Sequence, residues 1–173
     1  MLFKIAGSII VILSCTFLGF ILSTDCRKRP QQLRELQSML QMFENQISYL
    51  SDVISEAFGR ISRVGSSETG IFFSRTIEIL KEERSASASQ AWENAVKENI
   101  KKTSLNKEDE DVLLTFGKML GSSDLEGQIK NIRFTLEQLR LQERKAEESR
   151  SKNENMYRSL GILGGIAVVI VLL

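Results

Sequence analysis

Residues 30–58, PQQLRELQSMLQMFENQISYLSDVISEAF, carry Leu33, Leu36, Leu40, Phe43, Ile47, Leu50, Ile54 and Phe58 at alternating separations of three and four. Side chains at that spacing share one face of an α-helix, whereas a half-buried strand would alternate every second residue. The stretch is therefore read as helix with one apolar face. Pro30 suits its first turn, where a missing amide donor costs no hydrogen bond. Ser51 and Asp52 offer a cap part-way along, so the run is one long helix or two in series.

The same period continues downstream. After a turn at Gly65 to Gly70, Phe72, Phe73, Thr76, Ile77 and Leu80 form a third stripe, and Ser85 to Ser89 read as a connector. Trp92, Ala95, Val96 and Ile100 mark a further helix. Asn106 can cap another with Val112, Leu113, Phe116, Met119 and Leu120 on its apolar face, stopped by Gly121. A last helix starts near Asp124, with Leu125, Ile129, Ile132, Leu136 and Leu139 toward the core. From Gln142 to Asn155 it turns polar all round and is expected to be a solvated stalk. No strand pattern or repeat is present, so the fold expected is all-α, a bundle of five or six helices.

Both ends are hydrophobic. Ile5 to Leu22 holds 18 uncharged residues, about 27 Å as a helix, close to the thickness of a bilayer's hydrocarbon core. A cleaved signal peptide with a lipoprotein-like box at Ser14-Cys15 is the competing reading, but the apolar run continues through Phe20, Ile21 and Leu22, beyond a signal core. Leu160 to Leu173 is also uncharged, at about 21 Å short for a span unless Arg158 snorkels to the surface. The organisation expected is an N-terminal transmembrane segment (1–26), a cytoplasmic bundle (27–141), a polar helical stalk (142–159) and a C-terminal transmembrane segment (160–173). Arg27, Lys28, Arg29 and Arg158 are the candidate topology determinants, since basic residues beside a membrane helix remain in the cytoplasm. Cys15 with Gly19, and Gly161 with Gly165, have the small-residue spacing that lets membrane helices pack closely.

Composition removes several function classes. The chain has 173 residues, 26% of them charged, and a net charge of +1, which gives no bias toward nucleic acid. It has no histidine, the commonest general base and metal ligand. No glycine-rich phosphate loop ends in Gly-Lys followed by Ser or Thr, so any ATP hydrolysis must come from a partner. The two cysteines, Cys15 and Cys26, imply no disulfide framework. The acidic run Lys107-Glu108-Asp109-Glu110-Asp111 could hold a divalent cation, but acidic groups in a helix's first turn also favour its dipole, and that is the simpler reading. Trp92 is read as core. Neither a catalytic residue nor a cofactor is called for. A non-enzymatic, membrane-tethered interaction module is the result, with a candidate docking surface at Glu108, Asp111 and Lys118 on the outer face of the helix that buries Val112, Leu113, Phe116 and Leu120.

Several residue groups, in order along the chain, resemble the stage III sporulation protein AB family of endospore-forming bacteria. They are Arg29-Pro30-Gln31-Gln32-Leu33-Arg34-Glu35-Leu36, Leu40, Glu44, Ile47 and Tyr49, Ala91-Trp92, Phe116-Gly117-Lys118-Met119-Leu120-Gly121 with Ser123-Asp124 and Gln128, and Lys152-Asn153-Glu154-Asn155-Met156-Tyr157-Arg158-Ser159-Leu160-Gly161. Ser51-Asp52 departs from the Thr-Pro pair that opens the next helix in many members. The resemblance implies a part in the channel complex between mother cell and forespore. It also implies a soluble domain similar to the cytoplasmic domains of type II secretion and type IV pilus platform proteins. By the same analogy the partners are a secretion-type ATPase, stage III sporulation protein AA, and other membrane proteins of the channel complex; a homo-oligomer is a further expectation. The competing class is a coiled-coil membrane scaffold that self-associates through the Leu33 to Phe58 stripe and binds no ATPase.

Overall fold

A computed structural model of the chain describes residues 27–50, 54–64, 68–83, 85–121 and 124–172. These contain six α-helices and no strand: α1 (Lys28–Leu50), α2 (Ile54–Ile61), α3 (Gly70–Glu82), α4 (Ala88–Asn99), α5 (Lys107–Lys118) and α6 (Leu125–Leu172), with a 3-10 turn at Ile100–Lys102. The all-α expectation holds. The run from Leu33 to Phe58 falls in α1 and α2, and the candidate cap at Ser51 and Asp52 lies outside the described residues.

Local chemistry sets the boundaries. Pro30 lies buried in the first turn of α1, where amides have no intrahelical acceptor to lose. Reciprocal capping boxes start α4, between Ser87 and Gln90, and α5, between Asn106 and Asp109. The carboxylate of Asp124 accepts the amide of Gly127 at 2.9 Å at the head of α6. After α5 the chain turns through Gly121 at φ 72°, a left-handed conformation that favours glycine. Ser89, read as connector, is helical.

The chain divides into two compact units, Arg29–Arg144 and a second containing Lys145 to the end of α6 together with Arg27 and Lys28. The first has an aromatic centre to which five helices each give one ring: Phe43, Phe58, Phe73, Trp92 and Phe116. Trp92 lies 5.5, 5.0 and 5.2 Å from Phe58, Phe73 and Phe116, and Phe43 closes on Phe58 at 4.8 Å. The tilted and edge-on arrangements suit ring quadrupoles. The indole Nε1–H of Trp92 donates to the backbone carbonyl of Leu113 at 2.8 Å, so the one polar atom of that ring is satisfied inside the core. Gly117, one turn later on α5, admits the indole: a Cβ there would stand 2.4 Å from Trp92 Cδ1.

The expected pattern differs at several positions, among them Met119, expected on the apolar face of α5 but 43% exposed. Leu125 is 48% exposed because it precedes the turn at which α6 meets the bundle. On α3, Ile79 is buried against Ala91 and Ala95, while Ile77 and Leu80 are only half-buried, because α4 covers one flank of the stripe. Gln142 and Glu143, expected in the solvated stalk, are tied into the first unit by side-chain hydrogen bonds to Arg29 and Gln37.

Candidate functional site

The start of α1, the start of α5 and the middle of α6 meet in a polar junction. Arg29 donates from Nε to Asp109 Oδ2 at 2.8 Å and from Nη2 to Asp109 Oδ1 at 2.9 Å, a bidentate pair. Asp109 is fully buried, and the Arg29 side chain is 19% exposed. The same Asp109 Oδ2 accepts the Asn106 amide at 2.9 Å, so the carboxylate that caps α5 also holds α1. Arg29 Nη2 further donates to Gln142 Oε1 at 3.2 Å, and Gln142 Nε2 donates to Glu108 Oε2 at 3.1 Å. Asp109, Arg29, Gln142 and Glu108 are thus joined by three successive side-chain contacts across three helices, with Glu108 and Asp109 neighbours in the chain. A second polar anchor lies nearby, where buried Gln32 on α1 donates to Glu68 and accepts the Ser104 amide at 2.8 Å.

Polar contacts then run along α1 and α6. Glu143 takes hydrogen bonds from Arg34 at 2.6 Å and Gln37 at 2.8 Å, and Glu44 takes one from Arg133 at 2.6 Å. As the residue number rises on α1 it falls on α6, so the two helices are antiparallel. The chain therefore enters the first unit at Arg29 and leaves it at Arg144 on the same side. Burial pushes the Glu143 carboxyl up, but the hydrogen bonds from Gln37 and Arg34 outweigh it and hold the group below the usual carboxylate range. In the second unit, Arg27 donates to Glu154 at 2.6 Å, and that hydrogen bond lowers the Glu154 carboxyl.

The candidate docking residues lie on the outer face of α5. Glu108, Asp111 and Lys118 are exposed, while Leu113, Phe116 and Leu120 are buried and Val112 half-buried. Lys107 bridges to Glu110 at 3.0 Å and to Asp111 at 3.5 Å. Asp111, Val112 and Thr115 form one wall of a shallow groove whose other wall is Phe134, Thr135 and Gln138 of α6. Phe134 is 56% exposed, and Leu141, seven residues on and so on the same helical face, is 42% exposed. Neither was singled out from sequence. The available signal was that both fall off the stripe of Ile132, Leu136 and Leu139.

The candidate topology determinants separate. Lys28 is exposed and Arg27 pairs with Glu154, whereas Arg29 is built into the first unit. Arg158, Gly161 and Gly165 belong to α6, and Cys15 and Gly19 lie outside the described residues. Among the described residues no helix is long and apolar enough to cross a membrane. Asp109 of the acidic run points inward to Arg29, and among the described residues no group of three or more acidic, cysteine or histidine side chains is placed to hold a metal.

The profile of the stage III sporulation protein AB family matches residues 4–173. The chain belongs to that family. Stage III sporulation protein AB of Bacillus subtilis (strain 168) is 32% identical over 170 residues, which is 98% of this chain and 99% of the relative. A solved structure of stage III sporulation protein AB superposes with a TM-score of 0.67 at 32% identity, covering 72% of this chain and 98% of its own. Membership of the family gives this chain a role in stage III of sporulation.

Proposed function

We propose that the chain is a non-enzymatic membrane platform of the mother cell–forespore channel complex, required for endospore formation. It couples a cytoplasmic secretion-type ATPase, stage III sporulation protein AA, to the membrane channel. The observation that carries the reading is the antiparallel pairing of α1 and α6 in a member of this sporulation family. It supports a bundle whose two hydrophobic ends enter one membrane, the mother-cell membrane around the forespore, with the first unit in the cytoplasm. The exposed α5 face beside Phe134 supplies a surface for the ATPase. The long α1 stripe, which motivated a self-associating coiled-coil scaffold, is buried within its own bundle at Leu33, Leu36, Leu40, Phe43 and Ile47.

Co-purification of the full chain with the ATPase from membranes tests the coupling, and consistent failure with the membrane present would overturn it. Reversing Glu108 and Asp111 to Lys is expected to weaken that capture while overall helicity changes little, because charges on this outer face steer a partner more than they stabilise a fold. Unchanged capture at low salt, where screening is weakest, would remove this surface from consideration.

Topology is a separate test. In a non-sporulating host, where the chain would insert into the plasma membrane, and with Cys15 and Cys26 replaced by serine, a cysteine placed at exposed Lys101 is expected to resist membrane-impermeant reagents added outside the cell. Cysteines added at both termini should react. Labelling at position 101 from outside would reverse the proposed orientation.

A further inference from the structure

We infer that the first turn of α5 is a mechanical joint, through which its outer face acts at once on the points where the chain enters and leaves the bundle. Two adjacent residues of that turn hold different helices. Asp109 binds Arg29, the first residue of the unit, and Glu108 accepts from Gln142, near its last. Arg29 also binds Gln142 directly, and the backbone joins Glu108 to Asp109, so the three contacts close into one loop. Asp109 has no spare freedom, because the oxygen that faces Arg29 also caps the helix through Asn106. With its carboxylate fully buried and the arginine four-fifths covered, separating the pair leaves an uncompensated charge in a poorly solvated place. The contact is therefore made or broken, with little between, which is the bistability that passes a small displacement on.

Glu108 connects the joint to solvent. It is exposed, one turn from Asp111 on the same helix, and its carboxylate already serves Gln142. A cationic group of a docked partner that recruits the Glu108 carboxylate draws it away from Gln142 Nε2. What drives the joint thus rests on the proposed docking at this face, but the joint itself does not.

Amide hydrogen exchange on the full chain in lipid nanodiscs, with no partner added, tests the inference. Asp109→Asn keeps a cap acceptor and removes the charge. It is expected to speed exchange on the order of 100-fold in residues 29–36 and also in 138–144, which Asp109 does not touch, while α3 changes less than about 2-fold. Glu108→Ala removes the acceptor of Gln142 and leaves the Arg29–Asp109 pair in place, yet is expected to speed exchange about 5- to 10-fold in both segments. Arg34→Ala, which breaks an exposed contact on the same α1–α6 seam, should change neither by more than about 2-fold. A rise confined to 138–144 in Glu108→Ala, or one spread equally over α3, would reduce the loop to independent contacts and overturn the inference. Should Asp109→Asn not fold, Glu108→Ala decides alone, since it leaves cap and core intact. Failure here leaves docking untouched, and unchanged ATPase capture on charge reversal leaves the joint standing.

Discussion

Trp92→Ala is expected to lower the unfolding free energy by about 3 to 5 kcal/mol, the range for deleting a large core aromatic. The indole touches three other rings and donates its N–H to the Leu113 carbonyl, so truncation opens a cavity at the point where four helices meet. Denaturant melts followed by far-ultraviolet circular dichroism measure the loss, and a change under about 1 kcal/mol would mean the site collapses around the gap. The partner residue gives a sharper result. Alanine is a better helix former than glycine by about 1 kcal/mol, so Gly117→Ala in a helix would ordinarily stabilise. Here its Cβ would fall 2.4 Å from a rigid ring packed on every side, and the expected effect is a loss of about 1 to 3 kcal/mol. In the Trp92→Ala background the obstruction is gone, and the same substitution should become neutral or stabilising. A double-mutant cycle reads that sign reversal. Gly117→Ala destabilising equally in both backgrounds would show that the indole is not what requires glycine.

What sequence made legible and what it did not divide along one line. Periodicity reports which face of a helix is apolar, so the buried set Leu33, Leu36, Leu40, Phe43 and Ile47, the cap at Asn106 and the helix start near Asp124 could be read locally. It does not report which helix supplies the other side. Gly117 reads as an ordinary glycine near a helix end, and its reason is an indole 25 residues earlier. Asp109 reads as dipole-favouring charge in a first turn, yet its partner is Arg29, 80 positions away. Phe134 and Leu125 are apolar residues of α6 that a stripe-based reading counts toward the core or passes over, and α5 and the turn before α6 leave both exposed. Of the candidate docking residues, exposure of Glu108, Asp111 and Lys118 could be anticipated from the opposite face of the helix. The groove beside them needed the α5–α6 packing.

Arg29 carries the last expected result, because sequence and structure assign its charge different work. Beside a hydrophobic segment, Arg27-Lys28-Arg29 reads as one topology signal, and replacing all three by Gln would then leave the bundle folded. The bidentate contact to buried Asp109 predicts otherwise for one of the three. Arg29→Ala strands a carboxylate with no counter-charge, and breaking a buried pair from one side costs about 3 to 5 kcal/mol. Lys28 is exposed and Arg27 meets only a partly exposed glutamate, so Lys28→Gln with Arg27→Gln should leave the denaturation midpoint of the full chain in micelles where it was. The loss at Arg29 is not a measure of what the pair contributes. Desolvating both ions offsets most of their attraction, so Arg29→Met combined with Asp109→Leu should recover much of the stability lost in Arg29→Ala, short of the cap that Asp109 also provides. If the double variant is stable but exchanges freely at the start of α1, the ion pair fixes geometry more than it holds the fold together. If Arg29→Ala melts where the unaltered chain does, the guanidinium is dispensable to the bundle, and the three basic residues act together as a signal for membrane orientation.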